Sequence, residues 1–354
     1  MTHFIKNGTR FDVAADQAID IREALPVGTY TVKFDKDAGV YFLEIISDYK
    51  LPGKIYGRTP SQSQRILDTF QDRGKSTGVL LSGEKGSGKT LLSTLISVDG
   101  RSRDLPTIVI NQAHFGDTFN TFIQKIEQMA IIIFDEFEKV YDAQQQEKLL
   151  TLLDGVYPSK KLFIMTCNNK WRIDSNMSNR PGRLFYRIDF KGLDDAFIRE
   201  YCQDTLNDKS HIDSICRVAM MFGAFNFDIL KALVEDMNRY NETPQQAMEI
   251  LNAKPELSDS VAYTVDLQVG GKTIGTDALY HTQWSGNPLS QDIGISYDPD
   301  PKNDETDFTE AMFSSENLQH IDPAAGKFEF SKPNGDRVVL TKVKPKVYDY
   351  HNAF

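Results

Sequence analysis

The chain has 354 residues, 40% of them hydrophobic, which is enough for two or three packed cores. Charged residues make up 25% and the formal net charge is -10, which excludes a disordered chain and argues against broad nucleic-acid binding, though not against a basic channel inside an acidic shell. The three cysteines (Cys167, Cys202 and Cys216) have no clustered spacing, so they suit a reducing cytoplasm rather than a disulfide scaffold or a zinc site.

The opening MTHFIKNGTRFD lacks an apolar core, so no signal peptide is expected, and no run approaches the roughly 20 apolar residues of a membrane span. A cytoplasmic protein without membrane association is the expectation. Residues 1–48 read as a small β-rich module. Tyr30, Val32 and Phe34 alternate, VYFLEII (40–46) is a second strand, and Lys36–Gly39 is the turn between them. Residues 49–60 are an irregular entry with Pro52, Gly53, Gly57 and Pro60. Here Ile55, Tyr56 and Gly57 are candidates for apolar contact to a nucleotide base, and a packed linker is the competing reading. SQSQRILDTFQDRG then reads as a helix with Ile66, Leu67 and Phe70 on one face.

Val79–Leu81 is a short buried strand, followed by GEKGSGKT at 83–90 and an apolar helical start, LLSTLIS. Strand, glycine-rich loop and helix are the context in which G-x-x-x-x-G-K-[ST] binds phosphate. Gly86 and Gly88 let the backbone curl so that its N–H groups converge on phosphate oxygens, and the helix adds its positive end. Lys89 is placed to reach the β- and γ-phosphates, and Thr90 to hold Mg²⁺. The candidate nucleotide positions here are Gly83, Glu84, Lys85, Gly86, Ser87, Gly88, Lys89, Thr90 and Leu91.

Thr107–Ile110 is another apolar strand, and His114, Phe115 and Gly116 precede a helix with Phe119, Phe122, Ile123 and Ile126 on its apolar side. In AIIIFDEFEK, the strand Ile131–Phe134 is apolar on both faces and ends in two acids. Asp135 can organise Mg²⁺ there and Glu136 can polarise the attacking water, whereas two acids without the upstream loop would be an ordinary solvated strand end. Gln144–Leu153 is a helix. Leu162–Thr166 is a strand ending in Asn168 and Asn169, where an amide can orient water. In SNRPGRLFYR, Arg180 and Arg183 bracket a Pro-Gly turn and read either as surface arginines or as groups reaching a neighbouring subunit's nucleotide. Residues 193–252 are helical, the fourth helix opening with Thr243, Pro244 and Gln246 as cap, first position and capping-box partner. Residues 253–354 turn β-rich around an acidic, proline-rich loop, SYDPDPKNDETDF, with a hairpin turn at PNGD.

The order of these motifs resembles the AAA+ ATPases and, within them, the AAA branch in the strict sense. GEKGSGKT is similar to Walker A and IIIFDE (131–136) to Walker B, which implies Glu136 as general base. Asn168 matches sensor 1, and LLTLLDGV (149–156) is similar to the helix after Walker B. NRPGR (179–183) resembles the arginine-finger box, implying that Arg180 and Arg183 act in trans. FGAFNFDILKALV (222–234) occupies the lid segment where such members carry a small Gly-Ala pair, and no sensor-2 arginine is assigned. Phe115-Gly116 sits where ring translocases carry an aromatic pore loop, on a segment shorter than usual, and packing of Phe115 on Phe119 and Phe122 is the competing reading. The likeness covers about residues 50–252, and the short flanks also resemble a phage-encoded member, which would act in the host cytoplasm.

The resemblance implies an α/β P-loop NTPase core with a parallel sheet and helical lid, between small β-rich domains. The expected boundaries are 1–48, 49–192 for the core, 193–252 for the lid and 253–354. It implies an ATPase with ATP and Mg²⁺, assembled as a homo-oligomer, a hexameric ring. The expected function is a motor that remodels or threads a protein. A DNA-associated motor or loader, serving packaging, replication or transposition, is the alternative. His114 and Asp117 flank Phe115 with no lysine or arginine, whereas a DNA-tracking pore needs cations. A scaffold that only binds ATP is disfavoured by Lys89, Asp135 and Glu136 all being present.

Overall fold

The structure, a computed structural model, describes residues 2–7, 10–15, 20–154, 160–178, 180–222, 224–253, 261–301, 307–323 and 325–343. The chain divides into one unit of residues 1–83 and 89–190 and another of residues 84–88 and 191–354.

The first unit opens with the antiparallel hairpin of β1 (Thr2–Asn7) and β2 (Arg10–Ala15). There follow β3 (Thr29–Asp35), β4 (Val40–Ile46), α1 (Thr59–Arg73), β5 (Thr77–Gly83), α2 (Lys89–Arg101), β6 (Thr107–Ile110), α3 (Asp117–Lys125) and β7 (Ala130–Phe134). Next come α4 (Phe137–Val140), α5 (Ala143–Leu153), β8 (Lys161–Cys167), α6 (Ser175–Ser178) and β9 (Leu184–Phe190). β3 to β9 form one seven-stranded sheet in the order β4-β3-β6-β7-β8-β5-β9. Every neighbouring pair is parallel except β3–β4.

The apolar runs follow from cover on both faces. One face packs Val79, Leu81, Ile131, Ile133, Leu162 and Ile164 against Ile66, Leu67 and Phe70 of α1 and Leu92 and Ile96 of α2. The other packs Leu80, Ile132, Phe134, Phe163 and Met165 against Phe119 and Ile123 of α3 and Leu149, Leu152 and Leu153 of α5. Each such burial contributes about 1.5–3 kcal/mol. Helix ends follow local chemistry: Pro60 lies in the first turn of α1, Gly74 closes it in the left-handed region, and Asp142 and Gln145 form a capping box on α5.

The expectation of a separate module over residues 1–48 needs correction. β3 pairs in parallel with β6 from Thr29↔Thr107 to Thr31↔Val109, and Tyr30 and Val32 belong to the sheet's core. Thr29 and Thr31 are buried too, so β3 lies inside the sheet and β4 is its edge. The turn at 36–39 is as expected, with Gly39 at φ +68° donating its N–H to Asp35 O at 2.8 Å. β9 had no counterpart among the expected strands.

The second unit contains α7 (Asp195–Thr205), α8 (Ile212–Met220), α9 (Phe227–Tyr240) and α10 (Pro244–Ile250), the last with the expected Thr243–Gln246 capping box. It continues with β10 (Ala262–Val269), β11 (Lys272–Thr273), β12 (Gln283–Ser285), β13 (Ile293–Tyr297), β14 (Thr309–Phe313), β15 (Leu318–Asp322), β16 (Lys327–Ser331) and β17 (Arg337–Lys342). β11-β10-β17-β16-β15 form an antiparallel sheet with β12 on β10, and the β13–β14 hairpin shares its core. Met220 of α8 packs on that core, which joins the helical and β-rich parts within one unit. A fold of mixed α/β core flanked by smaller β-rich sheets is what the sequence led one to expect. No helix among the described residues is long and apolar enough to cross a membrane.

Candidate functional site

The sheet's topology brings Gly83, Lys89, Asp135, Glu136 and Asn168 to one rim. β5 lies beside β8 with Ser82 opposite Cys167, and β7 lies on β8's other side with Phe134 opposite Met165. Gly83, Asp135 and Asn168 therefore follow from the C-terminal ends of three adjacent parallel strands, where open α/β sheets place ligands.

Lys89, the first residue of α2, is only 7% exposed, and its Nζ donates to Gly83 O at 2.6 Å. Burial lowers its pKa, against the opposing pull of Cys167, Glu138, Asp135 and Glu136. Thr90 follows it and is exposed, and Leu91 is half-buried. Gly83 needs to be glycine because a Cβ there would lie 2.4 Å from Phe190 O. Residues 84–88 belong to the second unit, where Asn226, the cap of α9, donates from Nδ2 to Lys85 O at 3.3 Å and Phe227 N–H donates to Gly86 O at 3.1 Å. Gly86 has φ +72°, and a Cβ on it would meet Asp228 Oδ2 at 2.5 Å. Ser87 Oγ is buried and has no hydrogen-bond partner among the described residues. Within the second unit, the positive-φ Gly86 and the Ser87 hydroxyl fit a phosphate oxygen.

The acidic turn is held from β8. Thr166 Oγ1 donates to Asp135 Oδ1 at 2.7 Å and accepts from Glu136 N–H at 2.9 Å. Glu136 sits in the left-handed region at φ 47°, ψ 45°, an uncommon conformation for a non-glycine residue. Its carboxylate pairs with Lys139 one turn on, with both side chains about half exposed, so little holds this pair closed. Glu138 is 8% exposed. Its Oε1 accepts from Asn168 N–H at 2.8 Å, fixing the backbone at the end of β8, while Oε2 has no hydrogen-bond partner among the described residues. Sequence reasoning passed over both Thr166 and Glu138. The third acid of FDEFE was a visible signal, but its burial depends on the β7–β8 register.

Arg180 and Arg183 lie at the opposite rim. β9 runs parallel to β5 with Leu184 opposite Gly78 and Phe190 opposite Gly83, so the arginines enter the sheet some five residues, roughly 16 Å, from the lysine end of β5. The two arginines differ. Arg183 makes a bidentate pair with Asp154, with Nη2–Oδ2 at 2.8 Å, donates from Nη1 to Asn176 O at 2.8 Å, and is 12% exposed. Its hydrogen bond lowers the pKa of Asp154. Arg180 is exposed, and its guanidinium has no hydrogen bond or ion pair among the described residues. Asn179 and residues 155–159 lie outside the described residues.

Tyr56 is half-buried, with the Lys54 ammonium 4.7 Å from its ring centre, and Gly57 turns the chain into α1 at φ +70°. Phe115 packs partly against the core beside α3, with Lys148 Nζ 5.3 Å above its ring. His114 is buried, which lowers its pKa, and its carbonyl accepts from the Tyr141 hydroxyl at 3.0 Å. Gly116 caps α3 at φ +88°. The segment expected to carry an exposed aromatic is thus anchored on both sides of Phe115.

Residues 79–191 match the family described as "AAA: ATPase family associated with various cellular activities". The match spans β5 to β9 and every residue of the rim described above. The chain is also similar to the "ATPase family gene 2 protein" of Schizosaccharomyces pombe (strain 972), at 28% identity over 141 residues, 34% of this chain and 17% of that protein. The chain therefore spans well under two thirds of that relative's length.

Proposed function

We propose that the chain uses the AAA-like ATPase region matched over residues 79–191 as one subunit of an ATP-hydrolysing ring motor, a homo-hexamer, that remodels or threads a protein. The observation carrying this reading is the convergence of Lys89, Asp135, Glu136 and Asn168 on one sheet rim while Arg180 stands exposed on the other. A head-to-tail ring sets one rim against the other in the next copy, and such a heterologous contact repeats around a closed cycle.

In this proposal Lys89 exchanges Gly83 O for a phosphate oxygen, and the loop N–H groups from Glu84 to Leu91 cradle the rest. Tyr56 and Gly57 flank the base. Magnesium, held by Thr90 and Asp135, would neutralise phosphate charge. Glu136 leaves Lys139 and takes a proton from the attacking water, which Asn168 orients, and Glu138 keeps Asn168 in place. Arg180 of a neighbouring copy offsets charge on the departing phosphoryl group, and Arg183, tied to Asp154, holds the turn that presents it. Glu136→Gln should bind ATP and hydrolyse it about 10²–10⁴-fold more slowly. Turnover at the wild-type rate in that variant would rule the assignment out.

A DNA-associated motor is a second reading, favoured by Trp171. It is 85% exposed between Lys170 and Arg172 on a turn capped by the Asn169 side chain, an aromatic-and-cation arrangement suited to stacking on bases. Stimulation of ATPase by single-stranded DNA, lost in Trp171→Ala, would favour it over the protein motor.

A further inference from the structure

Residues 273–326 contain ten acids and a single basic residue, Lys302, and so account for nine of the chain's ten net negative charges. Within this stretch the structure holds an aromatic surface that is exposed among the described residues. Tyr280 is 62% exposed and Phe308 55%, with their rings edge to face at 5.2 Å, and His281 lies against Tyr280 at 4.5 Å. Backbone pairing fixes the arrangement. Tyr280 N–H donates to Ser296 O at 3.0 Å and Asp298 N–H to Ala278 O at 2.8 Å, tying this segment to β13. Along β14, Ala311 and Phe313 point into the core, so Glu310 and Met312 point outward, in phase with Phe308 just before the strand. Asp307 adjoins Phe308 in the chain, Glu310 shares its outward phase and Asp277 lies three residues before Tyr280; all three are exposed, and among the described residues no lysine or arginine pairs with them.

We propose that this face docks a lysine- or arginine-bearing segment of a partner protein. Exposed rings attract cations through their faces, and the exposed carboxylates add long-range attraction. The rings are already ordered against one another, so little side-chain freedom is lost on binding. The same carboxylates repel a phosphate backbone, so the occupant is a cationic polypeptide and not nucleic acid. The inference stands apart from the nucleotide chemistry and does not depend on it.

The test uses the full chain and a fluorescein-labelled 12-residue peptide of alternating arginine and serine, read by anisotropy at physiological salt. Tyr280→Ala with Phe308→Ala leaves the charge unchanged and should weaken binding about tenfold. Tyr280→Phe should retain it. Asp307→Asn with Glu310→Gln should weaken binding and flatten its salt dependence, whereas the equal charge change Asp72→Asn with Glu127→Gln should not. ATP turnover without peptide should be the same in all of these variants. The proposal is overturned if the ring-less variant binds as wild type, if the two charge pairs act alike, or if the peptide does not bind at all. It is equally overturned if removing the rings changes the sedimentation of the chain alone, since a second copy would then cover this face.

Discussion

The seven-stranded sheet of the first unit and the antiparallel sheet of the second divide their surfaces differently. β5, β7 and β8 are buried on both faces, so their sides are spent on packing and polar groups collect where the strands stop. β10 and β13 bury only alternate residues, and the strands around them leave a face to solvent that can carry charge and aromatic rings. Chemistry at strand ends leaves short, spaced motifs. Charge and rings spread over a sheet face leave only composition, and for that reason the acidic stretch was visible in the sequence without a role.

The largest expected effect tests whether the first sheet's rims do different work. Arg180→Ala should lower ATP turnover about 10³-fold or more while leaving thermal melting unchanged, the range expected for an arginine finger. Arg183→Ala removes charged hydrogen bonds to Asp154 and should cost about 1.5–3 kcal/mol of stability as well. Melting curves and turnover on the two proteins separate a group that acts across a subunit boundary from one that builds the turn. Equal loss of turnover without loss of stability in both would erase the distinction.

Next in size is independence of the two cores. Phe70 and Phe330 are fully buried, one in each unit. Truncating either to alanine should cost about 3–5 kcal/mol. If the units unfold separately, calorimetry of Phe70→Ala should show only the first unit's transition lowered, and Phe330→Ala only the second's. A single shared transition displaced by either change would show that the two cores melt together.

The smallest effect is a pH dependence confined to the first sheet. Lys161 is 1% exposed, and its Nζ donates to Ile126 O at 2.6 Å and Gln128 O at 2.9 Å. Burial lowers its pKa to about 8. The unfolded chain then binds more protons between that value and the ordinary lysine range near 10.5, so this group's contribution to stability rises with pH across the window. Measured against Lys161→Met, wild-type stability should gain on the order of 1–3 kcal/mol from pH 8 to 10.5. A flat difference would mean that the ammonium is not desolvated.

Much of the site was legible because its signals are local. A glycine where φ must be positive, a lysine at the start of a helix and acids closing an apolar run are consequences of neighbouring residues, and GEKGSGKT and IIIFDE are contiguous. The helix caps at Asp142, Asn226 and Thr243 are equally local. Tertiary structure alone decided that β3 inserts beside β6, since strand pairing across more than seventy residues has no local signature. It also decided that Thr166 and Glu138 grip the ends of β7 and β8, and that Arg183 is bound while Arg180 stands exposed. Each of these rests on a side chain meeting a group some thirty residues away in sequence, or on its failing to do so. Such meetings depend on register and on the packing of whole elements, which a pattern of residue types does not encode.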